Sequence, residues 1–253
     1  MKADYKNWLP KGMLYAMGTA VFLVAAIGIL IPFAPIRIVA LILFMILFLI
    51  FLWMIALYRI FSYRGKRQMA KKIIEGICAY ADLEAGAKGL DVGCGSGALT
   101  IACAKRNPQA HFTGIDRWGK EYASFSKELC EKNALAEGVT NVHFMQGDAL
   151  CLPFEDESFD FLTSNYVYHN IPSKNRQEIL LESLRVLKKG GSFVIHDIFS
   201  RQRYGDMEAF VKKLKAMGYS EVGLIPTTEG MFMSHGEALW MCLGSSALLL
   251  GKK

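Results

Sequence analysis

Glycine recurs at every second position in Gly89-Leu90-Asp91-Val92-Gly93-Cys94-Gly95-Ser96-Gly97, where an apolar run ends on an acid. The next stretch, Ala98-Leu99-Thr100-Ile101-Ala102-Cys103-Ala104-Lys105, reads as a helix. Strand, glycine turn and helix is the arrangement that cradles a nucleotide-type cofactor. Glycine takes positive φ in a tight turn and has no Cβ to hold a ligand off the backbone. The helix start adds free N–H groups and a partial positive charge. Three more polar signals follow, in Gly114-Ile115-Asp116, Gly147-Asp148-Ala149 and Asn165-Tyr166-Val167-Tyr168-His169-Asn170. Taken singly, each acid also suits a turn or an N-cap. Together they matter because a carboxylate only accepts hydrogen bonds and accepts more than one.

The elements that would position these residues alternate from residue 88 onward. Strands are expected over 88–92, 111–116, 141–146, 159–164 and 192–197, with two final strands over 219–225 and 247–251. Helices are expected over 98–107, where Asn107-Pro108 stops the first, and over 174–188, ahead of Gly190-Gly191. Another is expected from about Lys120 to Gly138, with Tyr122, Phe125 and Leu129 on one face. A helix from Met207 has Asp206 as N-cap and Gly218 past its end. Such alternation indicates a mostly parallel α/β sheet, in which ligands bind beyond the carboxyl ends of the strands. All four polar signals fall there.

In this order and spacing, the four signals and Leu184-Arg185-Val186-Leu187-Lys188-Lys189-Gly190-Gly191 make residues 65–253 resemble the class I S-adenosylmethionine-dependent methyltransferases. The small-molecule branch that includes quinone-biosynthesis C-methyltransferases is the most similar. The resemblance implies a Rossmann-like sheet of seven strands, mostly parallel with the last antiparallel. It implies S-adenosyl-L-methionine as cofactor, lying on Gly93, Cys94, Gly95 and Gly97. Asp91 would organise the turn and the cofactor's amino group, Asp116 would accept from both ribose hydroxyls, and Asp148 with the Ala149 backbone would take the adenine. Arg117 or Trp118 would cover the adenine face, and Asn165 joins the cofactor set. The G-x-G-x-G spacing differs from the G-x-G-x-x-G of dehydrogenases, as suits a cofactor without a pyrophosphate. The reaction implied is in-line attack of an acceptor nucleophile on a sulfonium methyl. His169 is the candidate base, with a structural, helix-capping histidine as the other reading. Tyr166 would line the transfer site or only pack.

Two runs, residues 13–31 and 38–58, contain no charge and match the about 20 residues that span a bilayer. Pro32-Phe33-Ala34-Pro35-Ile36-Arg37 separates them. We read residues 1–60 as a transmembrane hairpin, 61–86 as an amphipathic linker helix, centred on 64–83, and 87–253 as the catalytic domain. Lys2, Lys6 and Lys11 precede the first span, and Arg59, Arg64, Lys66, Arg67, Lys71 and Lys72 follow the second, against only Arg37 between them. The positive-inside bias therefore predicts a multi-pass protein of the cell (inner) membrane with both termini and the catalytic domain cytoplasmic.

Composition narrows the partners. Net charge is +6, of which residues 1–58 carry half, so the remainder is only mildly basic. With no Lys/Arg run, no Asn-Pro-Pro-Tyr after strand four and no Pro-Cys there, nucleic acid is not an expected partner. The six cysteines form no C-x-x-C pair and have no histidine at ligand spacing, so neither a metal nor an iron–sulfur cluster is expected. Residues 229–243, with Met231, Phe232, Met233, His235, Trp240 and Met241, suit either a lid over an apolar acceptor or a packed helix or hairpin. Glu229 or His235 would then reach the site. The expected acceptor is small and hydrophobic or lipid-like: isoprenoid quinones, lipid amines, a phenol or a thiol fit equally. Two alternatives stay open, a protein methyltransferase acting on membrane neighbours and a non-catalytic membrane protein that only binds the cofactor.

Overall fold

The computed structural model describes residues 2–119 and 124–253. The chain divides into two compact units, Lys6–Lys71 and the combination of Met1–Tyr5 with Lys72–Lys253.

The smaller unit is a helical hairpin, α1 (Lys11–Leu30) and α2 (Ala34–Phe61). Helix α2 begins earlier than the expected 38, because Pro35 sits in its first turn, where its missing N–H is not needed. Close approach of the two helices rests on glycine. A Cβ on Gly28 would lie 3.6 Å from that of Ala40, and one on Gly18 would lie 3.4 Å from the Phe51 ring. Asn7 Nδ2 donates to the Tyr58 carbonyl at 2.7 Å, and Trp8 packs on Phe61. Both helices are long and apolar enough to cross a membrane. Few of their side chains are buried, and Phe22, Ile29 and Leu30 are each at least 70% exposed, unlike the core helix of a soluble domain.

The larger unit carries one seven-stranded sheet in the order β3-β2-β1-β4-β5-β7-β6. Its strands are β1 (Lys88–Val92), β2 (His111–Asp116), β3 (Val142–Gln146), β4 (Phe159–Asn165), β5 (Leu187–Ile198), β6 (Ser220–Pro226) and β7 (Ser246–Lys252). Strands β1 to β5 pair in parallel, and β7 inserts antiparallel between β5 and β6. Helices α3 (Met69–Cys78), α4 (Ala98–Arg106), α5 (Lys127–Ala136), α6 (Arg176–Arg185), α7 (Arg201–Tyr204), α8 (Met207–Ala216) and α9 (His235–Trp240) complete it. Leu90, Leu162, Leu180, Leu184 and Ile195 are fully buried at the centre of one core. The strand order reverses between β1 and β4, which opens the crevice where such sheets bind ligands.

Three expected elements are corrected. The helix of 64–83 shrinks to Met69–Cys78: Gln68 has φ 45°, outside the helical region, and the bonds Tyr80 N to Ile77 O and Ala81 N to Cys78 O tighten its end. The helix expected from Lys120 starts at Lys127, where Ser126 accepts from Leu129 N at 3.2 Å; Tyr122 lies outside the described residues. Helix α6 stops at Arg185 because β5 already starts at Leu187. The register between β4 and β5 slips across Phe159/Phe161, while Gly190 takes φ 80° and the Gly190 and Gly191 backbones bond that of Lys253.

Residues before the hairpin belong to the larger unit. Asp4 N donates to Asn133 Oδ1 at 2.8 Å, and Asn133 Nδ2 returns bonds to the carbonyls of Asp4 and Ser96. Asn133 is therefore satisfied by the N-terminal segment and the glycine loop together.

Candidate functional site

Strand β1 delivers the glycine loop to the crevice. Gly93, Cys94 and the β2 end are tied together, since both amides donate to the Ile115 carbonyl at 2.7 and 3.1 Å. Gly93, Gly95 and Gly97 all have φ between 55° and 79°, so the turn requires them. Gly97 is the N-cap of α4 and brings no side chain over its first turn. A Cβ on Gly93 would lie 2.2 Å from Val167 Cγ2, so the loop presses directly on the segment after β4.

The three acids end three adjacent strands. Asp91 is 1% exposed and accepts from Thr100 Oγ1 at 2.6 Å. Burial pushes its carboxyl up to about 7, against the opposing pull of the Thr100 bonds. Asp116 Oδ2 accepts from Gly95 N at 2.9 Å, and Oδ1 accepts from Trp118 N at 2.7 Å. The Trp118 indole donates in turn to the Gly95 carbonyl at 2.9 Å, so both backbone groups of Gly95 are pinned. Asp148 Oδ1 closes a turn with Leu150 N at 2.9 Å, and half-buried Ala149 packs on the core. Arg117 is exposed, and its carbonyl takes the Gln146 amide. The Cys94 thiol is buried beside Cys130, which keeps it protonated and inert, so Cys94 serves the turn through its backbone.

Across the crevice, β4 and β5 build a second polar cluster. His169 Nδ1 lies 2.6 Å from Asp197 Oδ1. Asp197 is fully buried at the end of β5, while the His169 side chain is 13% exposed. Tyr166 has φ 55°, an uncommon backbone for a bulky residue. Its hydroxyl meets Ser246 Oγ at 2.8 Å, and its ring lies 4.5 Å from that of His196, tilted by 45°. Burial pushes the Tyr166 hydroxyl well up, so it stays protonated. His196 is fully buried and pushed down to about 3 by burial. A neutral imidazole donates from Nδ1 to Asn165 Oδ1 at 2.8 Å, and its Nε2 lies 3.1 Å from Thr227 Oγ1, whose hydroxyl donates to the Ser246 carbonyl. Asn165 thus joins this cluster through its side chain. Residues 229–243 fold back with Phe232, Met233 and Met241 buried, and Phe232 meets the His196 ring edge-on at 5.3 Å. Glu229 and His235 are exposed. Helix α9 is set by a capping box between Ser234 and Glu237.

A methyltransferase-domain family matches residues 83–224, more than half of the chain, including the glycine loop, the three acids and both His169 and Asp197. The chain belongs to that family. Among curated relatives, the demethylmenaquinone methyltransferase of Staphylococcus aureus (strain JH9) is 37% identical over 143 residues, covering 54% of this chain and 52% of that protein. The chain spans about half the length of the curated relatives it matches. Among solved structures, the [4+2]-cyclase SpnF superposes with TM-score 0.56 at 20% identity, covering 76% of this chain and 85% of that one. A SAM-dependent methyltransferase from Aquifex aeolicus gives TM-score 0.50 at 17% identity, covering 70% and 88%. These likenesses show the fold, and a cyclase among them means that fold by itself does not fix the reaction.

S-adenosyl-L-methionine is the cofactor of this methyltransferase family, and the donor set here fits it. Each Asp116 oxygen has accepted one bond and retains capacity for a hydroxyl. Buried Asp91 is an anion only at a cost, which a cationic amino group placed beside it would offset. The structure brings Asp91, Gly93, Gly95, Gly97, Asp116 and Asp148 to one side and His169, Tyr166 and Asn165 to the other. Sequence reasoning missed Asp197, His196, Thr227 and Ser246. The available signal was that Asp197 ends a strand just as the other three acids do.

The buried acid has a measurable consequence. A carboxyl raised from 3.8 to about 7 on folding stabilises the fold fully below pH 3.8, and this contribution is lost as pH rises through about 7. The stability difference between wild type and Asp91→Asn should therefore fall by about 1.4 kcal/mol per pH unit between roughly pH 4 and 7 and then level off. His196 acts oppositely, since its depressed value stabilises above its ordinary 6.5 and is lost toward 3. Urea unfolding of both proteins across this range checks the slope; a flat difference would show that Asp91 is not held neutral.

Proposed function

We propose that this protein is a membrane-anchored methyltransferase that moves a methyl group from S-adenosylmethionine to a small, hydrophobic or lipid-like acceptor. The observation that carries the reading is the pairing of the methyltransferase crevice with two largely unburied apolar helices in one chain. The residues on either side of the hairpin, Met1–Tyr5 and Lys72–Lys253, belong to one folded unit. This supports the placement of both hairpin ends on one side of a membrane, and the flanking lysines and arginines favour the cytoplasmic side. The similarity to a demethylmenaquinone methyltransferase supports an acceptor that partitions into lipid. Residues 1–60 are then the anchor, 61–86 the linker and 87–253 the catalytic part.

Bound S-adenosylmethionine supplies a methyl carbon on a positively charged sulfur, a leaving group already activated. The chain's task is alignment and exclusion of water. Asp116 and the pinned Gly95 hold the ribose side, and the Gly93–Val167 contact fixes the acceptor-side segment against the loop. Phe232 and Tyr166 pack on either side of the His196 ring and keep this side of the crevice apolar. The full chain in vesicles with methyl-labelled S-adenosylmethionine should yield label in extracted lipid. Label confined to a protein gel band would favour action on membrane neighbours, and no transfer to any fraction would leave only cofactor binding.

A further inference from the structure

We propose that the chain ahead of the hairpin is part of the cofactor site: the Asp4 backbone, through Asn133, holds the glycine loop in its binding shape. The proposal depends on the cofactor and not on the acceptor, so it goes beyond the function proposed above. Asn133 is buried on α5 and is bonded on both sides. Its Oδ1 accepts from Asp4 N at 2.8 Å, and its Nδ2 donates to the Asp4 carbonyl at 3.2 Å and the Ser96 carbonyl at 3.0 Å. A carboxamide has two N–H donors, and both are spent. Turning it over would set its oxygen against both carbonyls, so Asp4 dictates which end faces the loop.

The loop leans on α5 at this point. Cys130, three residues before Asn133 and on the same helix face, donates from Sγ to the Gly95 carbonyl at 3.2 Å. A Cβ on Gly97 would lie 3.3 Å from that of Cys130, so α5 stands directly against the turn. The peptide unit is planar, so holding the Ser96 carbonyl also sets the direction of the Gly97 N–H. That N–H closes the turn on the Cys94 carbonyl at 2.8 Å. Asn133 is thus a positioning residue, and Asp4 positions Asn133.

Tyr5 adds to the hold. It is half-buried, and burial together with the Glu137 charge pushes its hydroxyl up. Glu137 follows Asn133 by one turn and pairs with Lys105 of α4 at 2.6 Å. Asp4 and Tyr5 therefore meet α5 a turn apart. Coupling between two such sites is reciprocal. Docking of Asp4 favours the loop shape that binds S-adenosylmethionine, so bound cofactor tightens that docking by the same factor.

The test measures binding of S-adenosylmethionine to the full chain in detergent by isothermal titration. Asp4→Pro removes the amide that Asn133 Oδ1 accepts, and Asn133→Ala removes the relay. Each should raise Kd about tenfold, within the range usual for coupled sites. The double variant should go no further, because both act on one connection. Hydrogen exchange of the wild type needs no substitution. Saturating cofactor should slow the Asp4 amide about tenfold beyond any slowing at the amides of α8. A segment that only packs on the fold would show no such excess. A Kd within about twofold of wild type in either single variant, effects that multiply in the double variant, or an Asp4 amide slowed no more than those of α8 overturns the proposal. None of these results touches the reading of the acceptor.

Discussion

Asp116→Ala will weaken binding of S-adenosylmethionine about a thousandfold, measured by isothermal titration of the full chain in detergent. The residue has two tasks. Its carboxylate accepts from Gly95 N and Trp118 N, so it holds the middle of the glycine loop and the turn after β2 in register. Its remaining lone pairs are available to ribose hydroxyls. Hydrogen bonds to a charged group are each worth about 1.5–3 kcal/mol. Loss of two toward the cofactor therefore accounts for the expected change, about 4 kcal/mol. Asp116→Asn keeps one accepting oxygen and should fall between. Unchanged affinity in Asp116→Ala would remove Asp116 from the cofactor site.

Gly93→Ala will destabilise the catalytic unit by about 4 kcal/mol and depress turnover further than cofactor binding. Two costs add at one position. Its φ of 75° is strained for any residue with a Cβ, and such strain costs about 1–3 kcal/mol. The new methyl would also stand 2.2 Å from Val167 Cγ2, and overpacking of that kind costs about 1–3 kcal/mol. Valine is stiff at χ1 and cannot swing aside. Val167 precedes the turn that carries His169, so the displacement reaches the acceptor side. Urea unfolding of Gly93→Ala, Val167→Ala and the double variant separates the costs. The double variant should regain the packing part and keep the backbone part. If it regains nothing, the clash is not the cause.

The sheet and the cofactor side were legible because each rests on local pattern. Apolar runs of strand length end on Asp91, Asp116 and Asp148, and periodicity switches between them. The acceptor side was legible only as His169 and Tyr166. Asp197 is 28 residues away, and no period in the chain pairs it with His169; the parallel register of β4 and β5 does. The start of α5 was misplaced because the spacing of Tyr122, Phe125 and Leu129 suggested a longer helix. Ser126, three residues before Leu129, was the stronger signal. Lys189-Gly190-Gly191 reads as a loop, yet the ladder runs through it, since pairing with the chain's last residues supplies bonds that the sequence does not advertise. The bonds of Asp4 to Asn133 likewise leave no local trace.

Those bonds at Asp4 make the hairpin an excursion within the catalytic unit's chain path, with a folded strap before it as well as after. Cutting away everything before Lys72 would strip the buried Asn133 amide of two partners, at about 1–3 kcal/mol for each group left unmet. Replacing Lys6–Lys71 with a short flexible connector would keep the strap. Each halving of that loop also lowers the entropy of closure by about 0.6 kcal/mol. The route to a water-soluble form is thus splicing rather than truncation.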